Sequence, residues 1–170
     1  TDVHPTPTPS VGPLPFWLKA IYGSGDWSLA TFGTLRNLLL LIFFTDVVGL
    51  RPELASIALL VGVIWDAFND PIIGSLSDRG GFGRRLTAMW GRRRPFLLVF
   101  AIPYGLSFAA MWIAPAYHSQ VLLLIHVTVA YMFSDTMWTA ISLPFWALTP
   151  ELTSDYDERT SLTTFRMLFN

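Results

Sequence analysis

Two aspartates, Asp66 and Asp70, lie inside an apolar stretch that reads IWDAFNDPIIGSL from Ile64 onward. In a helix, side chains four residues apart point about 40° from each other around the axis and share a face. Ionised groups are costly in a bilayer, so acids in membrane helices usually face a bundle interior and mark an ion path. The pair therefore predicts binding of a coupling ion, Na⁺ or H⁺. A structural ion pair with an arginine is the alternative.

Two further polar residues bear on this pair. Asn69 can offer an amide oxygen, a ligand type that hard cations prefer, or it can hydrogen-bond a neighbouring helix. Arg36 lies in the middle of LRNLLLLIFF, where an arginine needs a partner. Its candidate partners are Asp66, Asp70 and Asp135. If Arg36 is unpaired, it could instead hold an anionic substrate.

A later apolar stretch carries a polar and aromatic stripe. Its members fall within an arc of about 100° on a helix: Asp135, Trp138, Thr139, Ser142 and Trp146. Such a surface suits a ligand with apolar faces and polar edges, for example a sugar. Contact with a neighbouring helix is the alternative. His126 lies on the opposite side of this helix and is not expected in the same site.

The composition is that of a membrane protein. Of 170 residues, 52% are hydrophobic and only 14% charged, and the mean hydropathy is +0.48, whereas soluble domains are about one quarter charged. The absence of cysteine excludes a disulfide framework and thiolate metal sites in this chain. We expect no enzymatic activity, no nucleic-acid partner, and no cofactor other than a coupling ion.

The expected fold is all-α and integral to the membrane. Residues 1–15 are rich in Pro and Thr and are predicted to form a disordered tail. Residues 16–170 are predicted to form part of a transmembrane bundle, and the chain is interpreted as an N-terminal fragment. The predicted helices cover residues 26–45, 54–77, 95–114 and 121–148, with a fifth, truncated helix at 159–170. Each complete span has the ~20 residues that a bilayer requires.

The distribution of basic residues predicts the orientation. The loop at 78–94 carries six arginines, whereas the next loop, between the third and fourth spans, has none. The positive-inside rule then places this loop and the N-terminus in the cytoplasm. Localisation in a plasma or inner membrane is expected.

The same loop is a candidate gate. Its residues include Gly74, Asp78, Arg79, Gly91, Arg92 and Arg93. Asp78 and the arginines could pair differently in two states of a moving bundle. The acidic stretch from Glu151 to Glu158 lies on the same predicted side and offers counter-charges.

The sequence resembles the glycoside-pentoside-hexuronide:cation symporters, the melibiose permease group of the major facilitator superfamily. The matching segments are YGSGDWSLATFG, FFTDVVGL, IWDAFNDPIIGSLSDR, WGRRRPFLL, LPFWALTPELT and RTSLTTFR. The resemblance implies a twelve-helix fold in two halves. This chain would supply its opening helices, and the C-terminal half of the transporter would be its partner in the bilayer.

The resemblance also implies roles for individual residues. The coupling cation would be bound by Asp66 and Asp70, with Asn69 and Thr139 in the same site. Trp146 would pack on a sugar, and Arg166 would lie near it. The chain departs from the melibiose permease pattern in having Leu29-Ala30 where that pattern has a Lys-Asp pair, and Ser142 where it has an aspartate.

Three polar residues near these departures complete the predicted substrate site: Asp26, Arg36 and Asp135. The predicted function is symport of a sugar, glycoside or related small solute with Na⁺ or H⁺. A lysolipid or another amphipathic substrate is the alternative. A remote alternative is a membrane prenyltransferase, because Asn69, Asp70 and Asp78 resemble part of its acid-rich motif, and a further one is a truncated, inactive product.

Overall fold

The computed structural model describes residues 14–79, 89, 91, 93–116, 118–153 and 155–170. Helix α1 (Phe16–Ile42) continues into a π-helical turn (Phe43–Val47) and is followed by α2 (Pro52–Asp78) and α3 (Arg94–Met111). Helix α4 (Gln120–Trp146), the short α5 (Thr149–Leu152) and α6 (Tyr156–Phe169) complete the chain. All regular elements in these ranges are helical, as predicted.

In the described part of the chain, four segments are long and apolar enough to cross a membrane: Phe16–Val47, Pro52–Asp78, Arg94–Met111 and Gln120–Leu152. Large apolar side chains such as Leu38, Ile64 and Leu106 are exposed on them. In water such a surface would be unfavourable, whereas lipid tails solvate it well. The fold is therefore that of a multi-pass integral membrane protein, and the predicted fold class is confirmed.

The first helix begins at Phe16, ten residues before the predicted start at residue 26. The predicted span, 26–45, leaves the glycines of YGSG outside the helix. In the structure Gly23 lies inside the helix, and a Cβ atom there would come within 2.9 Å of the Phe165 carbonyl oxygen. Glycine in a membrane helix thus serves close packing of helices instead of ending one.

The last helix also begins earlier than predicted, at Tyr156 instead of residue 159. Asp155 precedes it and accepts a hydrogen bond from the Glu158 backbone N–H at 3.0 Å, which is an N-cap. Residues 1–13 of the predicted tail and residues 80–88 of the predicted loop lie outside the described part of the chain.

The chain divides into two compact units, residues 1–30 with 148–170 and residues 31–147. In the first unit, Lys19 pairs with Glu158 at 2.8 Å and Tyr22 shares a hydrogen bond with Thr149 at 2.7 Å. These contacts join the start of α1 to the C-terminal part of the chain.

The second unit has an apolar core shared by the end of α1, the π-helical turn, α2, α3 and α4. Its buried members are Leu40, Phe44, Leu50, Ala55, Ala58, Met111, Leu123, Val127 and Tyr131. Helices α2 and α4 approach each other closely where Gly62 faces the Tyr131 ring. A Cβ atom at position 62 would overlap that ring. This approach sets the spacing of the two helices that carry the predicted cation site.

Candidate functional site

Three carboxylates lie together on α2 and α4. Asp66 is the fifteenth of 27 residues in α2, and Asp135 is the sixteenth of 27 in α4, so both are near mid-length. The Asp66 carboxyl group adjoins those of both Asp70 and Asp135. Asp135 is 1% exposed, whereas Asp66 and Asp70 are half-buried.

Arg36 of α1 forms an ion pair with Asp135, through Nη1 and Oδ1. Of the three partners open to Arg36 in the sequence, the structure selects the acid on α4. The guanidinium also lies 5.3 Å from the centre of the Tyr131 ring, 5.5 Å from Trp138 and 5.8 Å from Phe32. These aromatic faces favour a cation at this place.

The cluster has an excess of negative charge. When all groups are ionised, the three carboxylates outweigh the single guanidinium of Arg36 by two charges. Because Asp135 takes the arginine, Asp66 and Asp70 are left without a basic partner in the described ranges. Uncompensated carboxylates at this depth are costly, so the pair needs a bound cation or a proton.

Neutral oxygen groups flank the acids. Thr139 is fully buried and donates its hydroxyl hydrogen to Asp70 Oδ1 at 3.0 Å. Asn69 is 4% exposed, and its side-chain NH₂ has no hydrogen-bond partner in the described part of the chain; the same holds for Asp66 Oδ1. Among the described residues, no group of three or more His, Cys, Asp and Glu is arranged to hold a metal ion. A cation here would be held by two acids and neutral oxygens.

The predicted stripe on α4 is present. The Trp138 and Trp146 rings meet edge to face with centroids 5.7 Å apart. Ser142 is fully buried, and within the described ranges neither its hydroxyl nor the Trp138 indole N–H has a hydrogen-bond partner. The stripe thus combines aromatic faces with polar groups that have no hydrogen-bond partner among the described residues.

Two other predicted substrate residues lie in the unit formed by residues 1–30 and 148–170. Arg166 Nη2 is 3.6 Å from Asp26 Oδ1, and the Asn170 side-chain amide donates to Asp26 Oδ2 at 3.2 Å. Both residues border one cavity, together with Thr163, Met167 and Asn170. Asp26 is 2% exposed, so this pair is as deeply buried as the Arg36–Asp135 pair.

The predicted gate residues fall at the ends of α2, α3 and α4. Arg93 donates to Asp78 Oδ1 at 2.7 Å and also to the Ala147 carbonyl oxygen. Arg79 is exposed at the end of α2, Gly74 faces Leu143, and Gly91 has a positive φ of 83°. Arg92 lies outside the described residues. Of the acidic stretch predicted to offer counter-charges, Glu158 pairs with Lys19.

Sequence reasoning missed three residues around the acid cluster. Tyr131 and Ser134 are buried on α4, close to Asp135 in sequence. The Trp65 indole donates to Thr136 at 3.0 Å and joins α2 to α4 beside the acids. The signal for Tyr131 was its position four residues before Asp135, which puts both on one face of the helix.

Comparison with known proteins identifies the family. The model of a family described as MFS/sugar transport protein matches residues 21–170. An uncharacterized symporter of Synechocystis is 41% identical over 92% of the chain. The zebrafish sodium-dependent lysophosphatidylcholine symporter 1-A is 32% identical over 91%, and the isoprimeverose transporter of Lactiplantibacillus pentosus is 29% identical over 90%.

The chain spans only 29%, 28% and 30% of the length of these three relatives. All three names describe transporters, which favours the transport hypothesis over the prenyltransferase hypothesis. The predicted relationship to the symporters of the major facilitator superfamily is confirmed. The chain belongs to the MFS/sugar transport protein family.

Proposed function

We propose that this chain supplies the cation-binding helices of a secondary transporter that moves an organic solute together with a cation. The observation that carries the proposal is the pair Asp66 and Asp70, which forms no ion pair within the described ranges, while the neighbouring Arg36 is bonded to Asp135. A structural ion pair between Arg36 and the α2 acids was the alternative. The pairing of Arg36 with α4 argues against it.

Coupling follows from electrostatics. Without a cation, the two α2 carboxylates repel each other in a medium of low dielectric constant. A bound Na⁺ or proton removes that repulsion and favours one arrangement of α2 against α4. If the same arrangement forms the substrate site, the two ligands strengthen each other's binding by equal factors. Rocking of the two halves of the transporter then carries both across the membrane.

We favour Na⁺ over H⁺ as the coupling ion. A proton needs only a carboxylate, whereas Na⁺ is a hard cation that requires several oxygen ligands. The Thr139 hydroxyl oxygen lies 3.0 Å from Asp70 Oδ1, and Asn69, next to Asp70 in the sequence, carries a further neutral oxygen in its side-chain amide. The zebrafish relative is named a sodium-dependent symporter, which agrees with this choice.

We propose that the substrate contacts the α4 stripe. Trp138 and Trp146 offer aromatic faces, and the Ser142 hydroxyl and the Trp138 indole N–H offer polar contacts, a combination suited to a sugar or glycoside. The isoprimeverose transporter among the relatives supports this class. Asp26 and Arg166 in the one unit, and Arg36 and Asp135 in the other, are each proposed to contact the substrate.

A lysolipid is the second candidate. One observation favours it: position 142 carries a serine where melibiose permeases have an aspartate, so the stripe lacks a carboxylate that would grip sugar hydroxyls. The zebrafish relative is named for lysophosphatidylcholine. In either case the Asp78–Arg93 pair is proposed to close the cytoplasmic end of the path.

The test is uptake by proteoliposomes containing the full-length protein, under imposed Na⁺ or pH gradients. Radiolabelled glycosides and lysophosphatidylcholine form the substrate panel. Gradient-driven uptake of one solute is expected in the wild type. The Asp66→Asn variant is expected to insert normally but to lose at least 90% of that uptake, because its site has lost one ionic ligand (a loss of about 1.4 kcal/mol is tenfold).

The matched control is Glu53→Gln, which removes an exposed acid from the first turn of the same helix. Its uptake should stay within about twofold of the wild type. Gradient-driven uptake that survives Asp66→Asn would refute the role of the α2 acids. Uptake that ignores both gradients for every solute in the panel would refute symport.

A further inference from the structure

Arg36 lies near two aspartates, Asp135 and Asp66, that have different proposed roles. It is bonded to Asp135, which is not one of the proposed cation ligands, and its charge also acts on Asp66, which is one. The Asp135 and Asp66 carboxyl groups adjoin each other. A guanidinium held by one carboxylate needs only a small side-chain movement to reach the other.

Both acids retain capacity for such an exchange. Within the described ranges, the second oxygen of Asp135, Oδ2, and Oδ1 of Asp66 are buried and accept no hydrogen bond. The Arg36 side chain is 14% exposed, and its Nε atom likewise has no partner there. Arg36 therefore has an unused donor, and both neighbouring carboxylates have an unused acceptor.

The guanidinium also touches the proposed substrate surface. It lies 5.5 Å from the centre of the Trp138 ring, which also forms an edge-to-face pair with Trp146. Displacement of Arg36 would remove a cation from the face of Trp138 and free that indole to move. One side chain thus contacts both the acid cluster and the aromatic stripe.

We propose that Arg36 is an internal counter-cation that exchanges between Asp135 and Asp66, and so links cation occupancy to the substrate surface at Trp138. When a cation is bound at Asp66 and Asp70, Arg36 stays bonded to Asp135. When the cation leaves, Arg36 turns toward Asp66 and takes over part of the neutralisation. This inference rests on the proposed cation site and adds the residue that competes with the cation.

The test is equilibrium binding of radiolabelled Na⁺ to the full-length protein in lipid nanodiscs, with no substrate required. Asp135→Asn removes the alternative partner and leaves Arg36 free to pair with Asp66 permanently. We expect this variant to bind Na⁺ at least tenfold more weakly than the wild type. The double variant Arg36→Gln/Asp135→Asn removes the competitor as well, and we expect it to bind Na⁺ more tightly than the wild type.

The opposite changes in Na⁺ affinity expected for the two variants distinguish this role of Arg36 from a purely structural one. Loss of a merely structural ion pair would weaken binding in both variants or in neither, and either result would overturn the proposal. Should Asp135→Asn fail to insert, the double variant decides alone, because replacing both partners leaves no buried charge unpaired. Na⁺ binding in it that is equal to or weaker than in the wild type overturns the proposal.

The link to the stripe has its own readout. Na⁺ addition should change the tryptophan fluorescence of the wild type, and Trp138→Phe should remove that change. A signal that persists unchanged in Trp138→Phe contradicts the link. As a matched control, Lys19→Gln/Glu158→Gln removes another partly buried ion pair and should leave Na⁺ affinity unchanged.

Failure of this inference is distinguishable from failure of the proposed function. A wild-type protein that neither binds Na⁺ nor couples uptake to a gradient refutes the cation site itself. A wild-type protein that binds Na⁺ and couples uptake, with no sign difference between the two variants, refutes only the role of Arg36.

Discussion

At the scale of single residues, the hydroxyl of Thr139 is a neutral group that is hydrogen-bonded to one acid of the pair. It is fully buried and donates to Asp70 Oδ1 at 3.0 Å. A hydroxyl can serve both states of the proposed site, since it donates to the carboxylate when no cation is present and offers a lone pair to a bound Na⁺. Its removal should therefore affect cation binding without leaving a cavity.

Thr139→Val keeps the shape of the side chain and removes the hydroxyl. We expect about tenfold weaker Na⁺ binding by the full-length protein, equivalent to about 1.4 kcal/mol, measured by radiolabelled Na⁺ binding. Thr136→Val is the matched control on the same helix, because that hydroxyl bonds to the Met132 carbonyl and the Trp65 indole and not to an acid. Equal effects of the two variants would show that Thr139 acts only through packing.

At the scale of elements, the approach of α2 to α4 decides whether the three acids meet. Gly62 is buried on α2, and a Cβ atom there would overlap the ring of Tyr131, with Cε1 and Cδ1 as the nearest atoms. Tyr131 also lies 5.3 Å from the Arg36 guanidinium. Because Gly62 has no side chain, the two helices can pack closely and the Tyr131 ring can lie beside Arg36.

Gly62→Ala should destabilise the protein, because the added methyl group forces apart two closely packed helices. Overpacking of this kind costs about 1–3 kcal/mol, and we expect a lower midpoint of thermal unfolding in detergent. Gly105→Ala is the control with the opposite sign. Among the described residues, no atom outside its own helix lies within 4 Å of its Cβ position, and alanine favours helix by up to about 1 kcal/mol. A Gly62→Ala protein as stable as the wild type would contradict the close approach.

At the scale of the whole molecule, the arginine-rich connection between α2 and α3 predicts the orientation in the membrane. The segment 113–119 between α3 and α4 contains no Lys or Arg. The positive-inside rule therefore assigns these two connections to opposite sides, with the arginines in the cytoplasm.

The absence of cysteine from this chain allows a direct test by labelling. With any cysteines elsewhere in the full-length protein replaced, we expect Ala114→Cys to react with a membrane-impermeant maleimide in intact cells. Arg79→Cys should react only after the membrane is permeabilised. Both positions are exposed in the structure, so a reversed pattern would place the N-terminus on the outer side.

The sequence alone predicted that Asp66 and Asp70 lie in an apolar helix. It also predicted the four complete spans and the family. Asp66 and Asp70 stand out because an ionised group in an apolar helix costs free energy, so such groups are rare and usually functional. The spans follow from the length of apolar chain that a bilayer requires. Both are local properties, readable from residue types and spacing without knowledge of neighbours.

The partner of Arg36 was decided only by the tertiary structure. Three acids were open to it in the sequence, and the choice of Asp135 depends on how α1, α2 and α4 pack against one another. The start of α1 likewise differs from the prediction, and Gly23, which lay outside the predicted span, is inside the helix and packs closely against Phe165. Pairings of this kind join residues about 100 or more positions apart in the chain. Spacing along one helix carries no information about them.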